Sequence, residues 1–132
     1  MTSITIGANV SPVGDGIIYK GIAGETIAKG AAVKFYTGGL VYNAVSTAWL
    51  VTGTAGQIDF DGIATQLCAA NDAVTFYGKG SIIGSYAAGM AEGTALYVSA
   101  TPGVLADTRV AAASTDQPVA KAISATEILV LR

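Results

Sequence analysis

The stretch AAVKFYTGGLVYNA, residues 31–44, decides the fold class. Two short runs rich in Val, Phe, Tyr and Leu flank the pair Gly38-Gly39, and a glycine pair between such runs is a strong signal for a two-residue hairpin, since both positions accept positive φ. Working outward, the same form recurs in DAVTFYGKGSIIGSY, residues 72–86, bent at Gly78, Lys79 and Gly80, and in GTALYVSATPGVLAD, residues 93–107, bent through Ala100 to Gly103. There Pro102 presets φ and Gly103 supplies a permissive backbone. Three hairpins of this kind predict an all-β chain.

Each hairpin is entered alike. AKGAAVKFY (28–36), AANDAVTFY (69–77) and AEGTALYVS (91–99) place a small polar turn directly before an apolar strand. A longer echo sets 28–77 against 91–131, because GIATQL (62–67) and VAKAIS (119–124) each lead through a short bend into another strand, the last being ILVL at 128–131. The pattern predicts an imperfect duplication of hairpin, linking strand and returning strand. VSTAWLVTG (45–53) offers one more strand around Trp49, and TAGQIDFDG (54–62) reads as a turn-rich linker. Helix is confined to at most one short piece, VAAAST at 110–115 or SYAAGMAEG at 85–93, both too short to stand without tertiary support. The first residues, through Tyr19, alternate briefly and are then broken by Pro12, Gly14 and Gly16. They read as an extended arm, 1–19, ahead of one β-rich domain, 20–132. Such an arm needs a surface on which its main-chain groups find partners.

Composition narrows the chemistry. The 132 residues fit a single domain, and 52% are hydrophobic, yet alanine supplies much of that share, so the core formers are sparse. Charged residues make up 12%, about half the usual share, with a net charge of −2. A surface so poor in charge is expected to be covered in part by a partner. With no histidine, imidazole catalysis and histidine-ligated metals are excluded. Lys20, Lys29, Lys34, Lys79, Arg109, Lys121 and Arg132 are dispersed, so no cluster can neutralise neighbouring phosphates, and no nucleic-acid partner is expected. The start lacks a basic region followed by a long apolar one, and glycine or polar residues interrupt every apolar run, so neither a signal peptide nor a membrane span is expected. Cys68 is the single cysteine, in an apolar run, and reads as an inert buried thiol.

Asp59 and Asp61 are the one close carboxylate pair, too few oxygens for a calcium site, and are read as a solvent-facing linker. Lys79 and Ser81, or Lys121 and Ser124, do not form a Ser-x-x-Lys arrangement. Gly14 to Gly16 and Gly78 to Gly80 lack the strand, loop and helix context of a phosphate loop. No catalytic, cofactor or metal residues and no small-molecule substrate are therefore expected. The tyrosines are amphipathic and suit half-buried contacts. Candidate interface residues are Tyr19, Tyr36, Tyr42, Tyr77, Tyr86, Tyr97 and Trp49, with Ile4, Ile6 and Val10 of the arm.

The units GETIAKGAAVKFYTGGLVYNA (24–44), DGIATQLCAANDAVTFYGKG (61–80), GTALYVSATPGVL (93–105) and PVAKAISATEILVLR (118–132), behind a Gly-rich arm, resemble small head decoration (capsid cement) proteins of tailed bacteriophages. The resemblance spans roughly residues 20–132. It implies a barrel-like or β-tulip-like fold, assembly as a homotrimer, and a position on the outer surface of the expanded head in the virion, fastening neighbouring subunits of the major capsid lattice. It also implies synthesis in the host bacterial cytoplasm and no catalytic residues. The hairpin motifs are also similar to pieces of phage tail, baseplate and fibre modules. A carbohydrate-binding β domain, using Trp49 as a platform with nearby carboxylates, is the reading from outside the virion.

Overall fold

A computed structural model describes residues 4–14, 16–35, 39–45, 60–108 and 118–132. Among the described residues there are eleven strands: β1 (Ser11–Gly14), β2 (Ile18–Ala23), β3 (Ala32–Phe35), β4 (Leu40–Asn43), β5 (Gly62–Ala64), β6 (Ala73–Tyr77), β7 (Ile82–Gly84), β8 (Ala95–Val98), β9 (Leu105–Ala106), β10 (Ala120–Ala122) and β11 (Ile128–Val130). Strands β2-β4-β3-β5-β6 close into a barrel, and β1-β7-β11-β10-β8-β9 form an open sheet. No α-helix occurs among the described residues, and the stretch 85–93 is a series of bends and turns. The alternatives at 46–59 and 110–115, Trp49 included, lie outside the described residues.

Two of the three expected hairpins form. β3 pairs with β4 and β8 with β9, both antiparallel. The first has a different register from the one expected: a two-residue Gly38-Gly39 loop would set Phe35 opposite Tyr42, whereas Phe35 faces Val41. The hairpin expected at 72–86 does not form. Both edges of β6 are taken, by β2 and β5, so β7 cannot fold back on it and instead pairs with β11 and β1. The GKG bend at 78–80 thus carries the chain from barrel to open sheet.

The expected duplication is present in the pairing. β3 joins β4 and β5, and β5 joins β6; β8 likewise joins β9 and β10, and β10 joins β11, all antiparallel. The correspondence extends one strand further back, because β2 pairs with β6 as β7 pairs with β11. The strand entrances share one backbone form. The N–H of Ala31, Asp72 and Thr94 donates to the carbonyl of Ala28, Ala69 and Ala91, each at 3.1 Å. The third residue of each turn has positive φ: Gly30 at 84°, Asn71 at 74° and Gly93 at 88°. Only Gly or Asn takes that position cheaply, which explains why the triplets read AKG, AAN and AEG. The units then part company. β2 closes the first by a parallel pairing with β4 (Ile22 beside Leu40, Ala23 beside Val41), and the second stays open.

Strand alternation sorts the side chains into two cores. Inside the barrel lie Ala23, Ile27, Val33, Val41, Ala64, Val74 and Phe76, with Cys68 at one end and the rings of Tyr19 and Phe35 packed against them. Tyr19 stacks on Phe76 with centroids 5.3 Å apart, and Phe35 meets Phe76 edge-on at 5.1 Å. The second core joins the outside of the barrel, through Ala32, Ile63 and Ala44, to the open sheet, through Ile83, Leu96, Val98, Leu105, Ile128 and Val130.

The expected arm is part of this body. Residues 4–14 lie on the chain's own second sheet, with Val10 buried and Ile4 and Ile6 packed against the second core. The boundary drawn after Tyr19 falls inside β2, whose five antiparallel pairs with β6 run from Ile18 to Ile22.

One buried group stands out energetically. Tyr86 is fully buried, and its hydroxyl finds no hydrogen-bond partner among the described residues. Burial pushes its pKa upward, because the phenolate would be desolvated. An unpaired buried hydroxyl costs about 1–3 kcal/mol. Tyr86→Phe, which keeps the ring and removes the oxygen, is therefore expected to leave stability unchanged or raise it by about 1 kcal/mol in urea unfolding. The sign with pH follows from linkage. A phenol that ionises at about pH 10 when unfolded but later when folded contributes stability below that pH and loses it as the pH rises further. The variant should accordingly lose less stability than the parent between pH 9 and pH 11, a range set by the tyrosine pKa of about 10.

Candidate interaction surface

The outer face of β2 builds the site. In IYKGIA, Tyr19, Gly21 and Ala23 point into the barrel, and the alternate positions Ile18, Lys20 and Ile22 point to solvent. Their neighbours across β6 are Tyr77, Thr75 and Ala73, and Leu40 of β4 lies beside Ile22. Ile18 and Ile22 are 45% and 44% exposed, large values for isoleucine. Ile17 and Val13 continue the apolar surface towards β1, where Val13 is the extra residue of a bulge between the Pro12 and Gly14 pairs, 62% exposed. Leu67 is a further exposed apolar residue, in the bend after β5. Ile18 and Ile22 thus leave two large apolar side chains on one strand face open to solvent, the kind of feature that in larger patches marks interaction sites.

The residues chosen from the sequence fare differently. Tyr86 and Val10 are buried, Tyr19 fills the barrel, and Tyr77, Ile4 and Ile6 pack against the second core. Tyr42 and Tyr97 are half-buried, the Tyr42 ring covering Gly24, while Tyr36 and Trp49 lie outside the described residues. The eight described candidates are therefore not gathered on one exposed face. The exposed isoleucines of β2 were missed, although a signal was present. Lys20 fixes the phase of the alternation, and Ile18 and Ile22 share its face.

The carboxylates serve the fold. Asp61 is not a solvent-facing linker residue: it is half-buried, and its Oδ2 accepts the Phe35 N–H at 2.8 Å, completing the end of β3. Glu25 Oε2 accepts both the backbone N–H and the side-chain amide of Asn43, at 2.8 and 3.0 Å. No cluster of three or more Cys, Asp or Glu able to hold a metal occurs among the described residues. Cys68 is buried and free, its Sγ directed at the Ala73 carbonyl. Burial, and then the negative charge of Asp72, raise its pKa, so it stays a thiol at neutral pH. Among the described residues no helix is long and apolar enough to cross a membrane. What the outer face of β2 offers chemically is apolar contact on either side of the Lys20 cation. Compared with known proteins, the chain matches no family model and no curated protein.

Proposed function

We propose that this chain is a structural virion protein, a decoration protein that binds the outer surface of the expanded head of a tailed phage and fastens neighbouring capsid subunits. The observation that carries the reading is the uncovered apolar face of β2, Ile18 and Ile22 around Lys20, on a chain whose composition leaves it few charges. The hairpin units of residues 20–132 supply the resemblance, and the barrel with its attached sheet agrees with the small barrel-like fold that the resemblance implies. The mechanism is multivalent clamping. Weak contacts from each subunit of a homotrimer add when a repeating lattice presents their partners together. Binding only the expanded lattice stabilises that lattice by mass action.

The test is cosedimentation of the purified protein with expanded and unexpanded heads of the phage that encodes it. Selective binding to expanded heads is the expected result, and binding to neither rejects the reading. Ile18→Glu with Ile22→Glu places charge on an exposed face, so the melting temperature should change little. Head binding should weaken by at least about ten-fold, the equivalent of roughly 1.4 kcal/mol. Labelled protein found on tails or baseplates in micrographs would move the role to another part of the virion.

A further inference from the structure

The two units present equivalent outer faces that carry opposite charges. In the first, Ile18 of β2 lies opposite Tyr77 of β6, and Lys20 follows on the same side. In the second, Ile82 of β7 lies opposite Leu129 of β11, in the corresponding places. Ile82 and Leu129 are half-buried and belong to neither core, so they face outward. The residue matching Lys20 is Gly84, and what lies over it is apolar and acidic. A Cβ built on Gly84 would touch Val13 Cγ2 and lie 3.8 Å from Glu127 Oε2. The second face is thus Ile82, Leu129 and the exposed Val13 around a carboxylate.

Each charge is unmatched within the chain. Among the described residues Lys20 has no hydrogen-bond or ionic partner, and its surroundings on β6 and β4, namely Ala73, Thr75, Tyr77 and Leu40, supply no carboxylate. Glu127 Oε1 accepts the Ser124 hydroxyl at 3.4 Å, while Oε2 has no partner among the described residues. A second cation, Lys121 of β10, lies exposed on the far side of Leu129, so an incoming lysine is favoured only at the Glu127 end.

We infer that the outer β2 and β6 face of one copy docks on the outer β7 and β11 face of a second copy, with Lys20 on Glu127 and Ile18 against Ile82 and Leu129. Ile18 and Lys20 are two residues apart in one segment, Leu129 and Glu127 two apart in the other, about 7 Å along an extended chain in both, so one register seats both pairs. Covering the isoleucines strips water from Lys20, which is unfavourable unless a counter-charge replaces it, and Glu127 is that counter-charge. A two-fold pairing of the β2 face with itself would set Lys20 against Lys20. The contact is therefore heterologous, and repeated about an axis it closes a ring in which every copy uses both faces. This inference goes beyond the reading above and does not rest on it: the β2 face meets a neighbouring copy, and a head would be gripped by the assembled ring.

The mass of the full chain in solution, followed by sedimentation over a range of concentrations, is the test. Association is expected, weakened about ten-fold or more by Lys20→Glu and by Glu127→Lys separately, and restored in the chain carrying both, where the reversed pair attracts again. A chain that stays monomeric at every concentration overturns the inference. So does association that ignores both reversals, or a double variant no better than the single ones. Should Glu127→Lys fail to fold, the unmodified chain decides the matter through a carbodiimide, which couples an amine directly to a carboxylate. A Lys20 to Glu127 amide between copies, identified by peptide mass in the dimer band, is expected, and dimers without it overturn the inference. Association that follows these charges without head binding supports the inference and rejects the earlier reading; head binding by a monomeric chain does the reverse.

Discussion

Truncating Phe76 to alanine should remove about 3–5 kcal/mol of unfolding free energy, the range for a large aromatic side chain deleted from a packed core. Phe76 is fully buried at the centre of the barrel interior, with Tyr19 stacked on one side and Phe35 edge-on to it. The three rings meet where the surrounding positions are small: Gly21 lies beside Phe35 and Val41, and Ala23 and Ala64 line the same space. Small neighbours cannot extend into the void, so collapse is poor and the upper part of the range applies. In urea the midpoint should fall sharply with the slope retained, the mark of lost stability rather than a changed denatured state. A domain of this size holds only about 5–15 kcal/mol in all, so the variant is expected to be partly unfolded at 37 °C. Phe76→Leu, which restores most of the volume, should recover more than half of the loss, with the remainder assigned to the ring contacts.

Gly16→Ala should be nearly as damaging, although it adds one methyl group to an exposed residue. The new carbon would lie 2.5 Å from both the Gly80 carbonyl carbon and the Ser81 nitrogen, and closer still to the Lys79 carbonyl oxygen. All three are backbone atoms of the bend that carries the chain from β6 to β7. Three hydrogen bonds hold the crossing: Gly16 N–H to Ser81 Oγ at 2.9 Å, Ile17 N–H to the Lys79 carbonyl at 3.0 Å, and Gly78 N–H to the Ile17 carbonyl at 2.7 Å. Relieving the clash means parting the two segments and losing some of these bonds, so a cost of about 3 kcal/mol, at the high end for overpacking, is expected. A thermal scan beside Gly39→Ala provides the comparison. Gly39 has open space around it but φ of 78°, so that change should cost only about 1 kcal/mol, from backbone strain. Equal losses in the two variants would contradict the packing argument.

Local features of the fold were legible in the sequence, and non-local ones were not. The β3–β4 and β8–β9 hairpins, the shared entrance turns and the two-fold repetition all rest on short-range facts. Alternation marks a strand, and positive φ demands Gly or Asn. GKG at 78–80 looks the same whether the following strand folds back or crosses to another sheet, and that choice depends on the edges of β6 being occupied by β2 and β5, which are distant in sequence. Parallel closure by β2 and β4 is equally invisible to local pattern. The candidate contact residues lie where they do for a related reason. Tyrosines were selected as amphipathic contact formers, but a small barrel lined with Gly and Ala needs rings to fill it, and this drew Tyr19 inward. The isoleucines on the Lys20 face were left uncovered instead.

The seating of the first residues between β7 and β9 sets an order of events during synthesis. Residues 4–14 are made before their partners, since that of Ser11 is Gly84 and that of Ile4 is Leu105. At about 5–20 residues per second, the roughly 70 residues separating β1 from β7 take about 4–14 s to appear. Throughout that interval the barrel strands, all encoded before β7, have what they need to close, while the leading segment has nowhere of its own to dock.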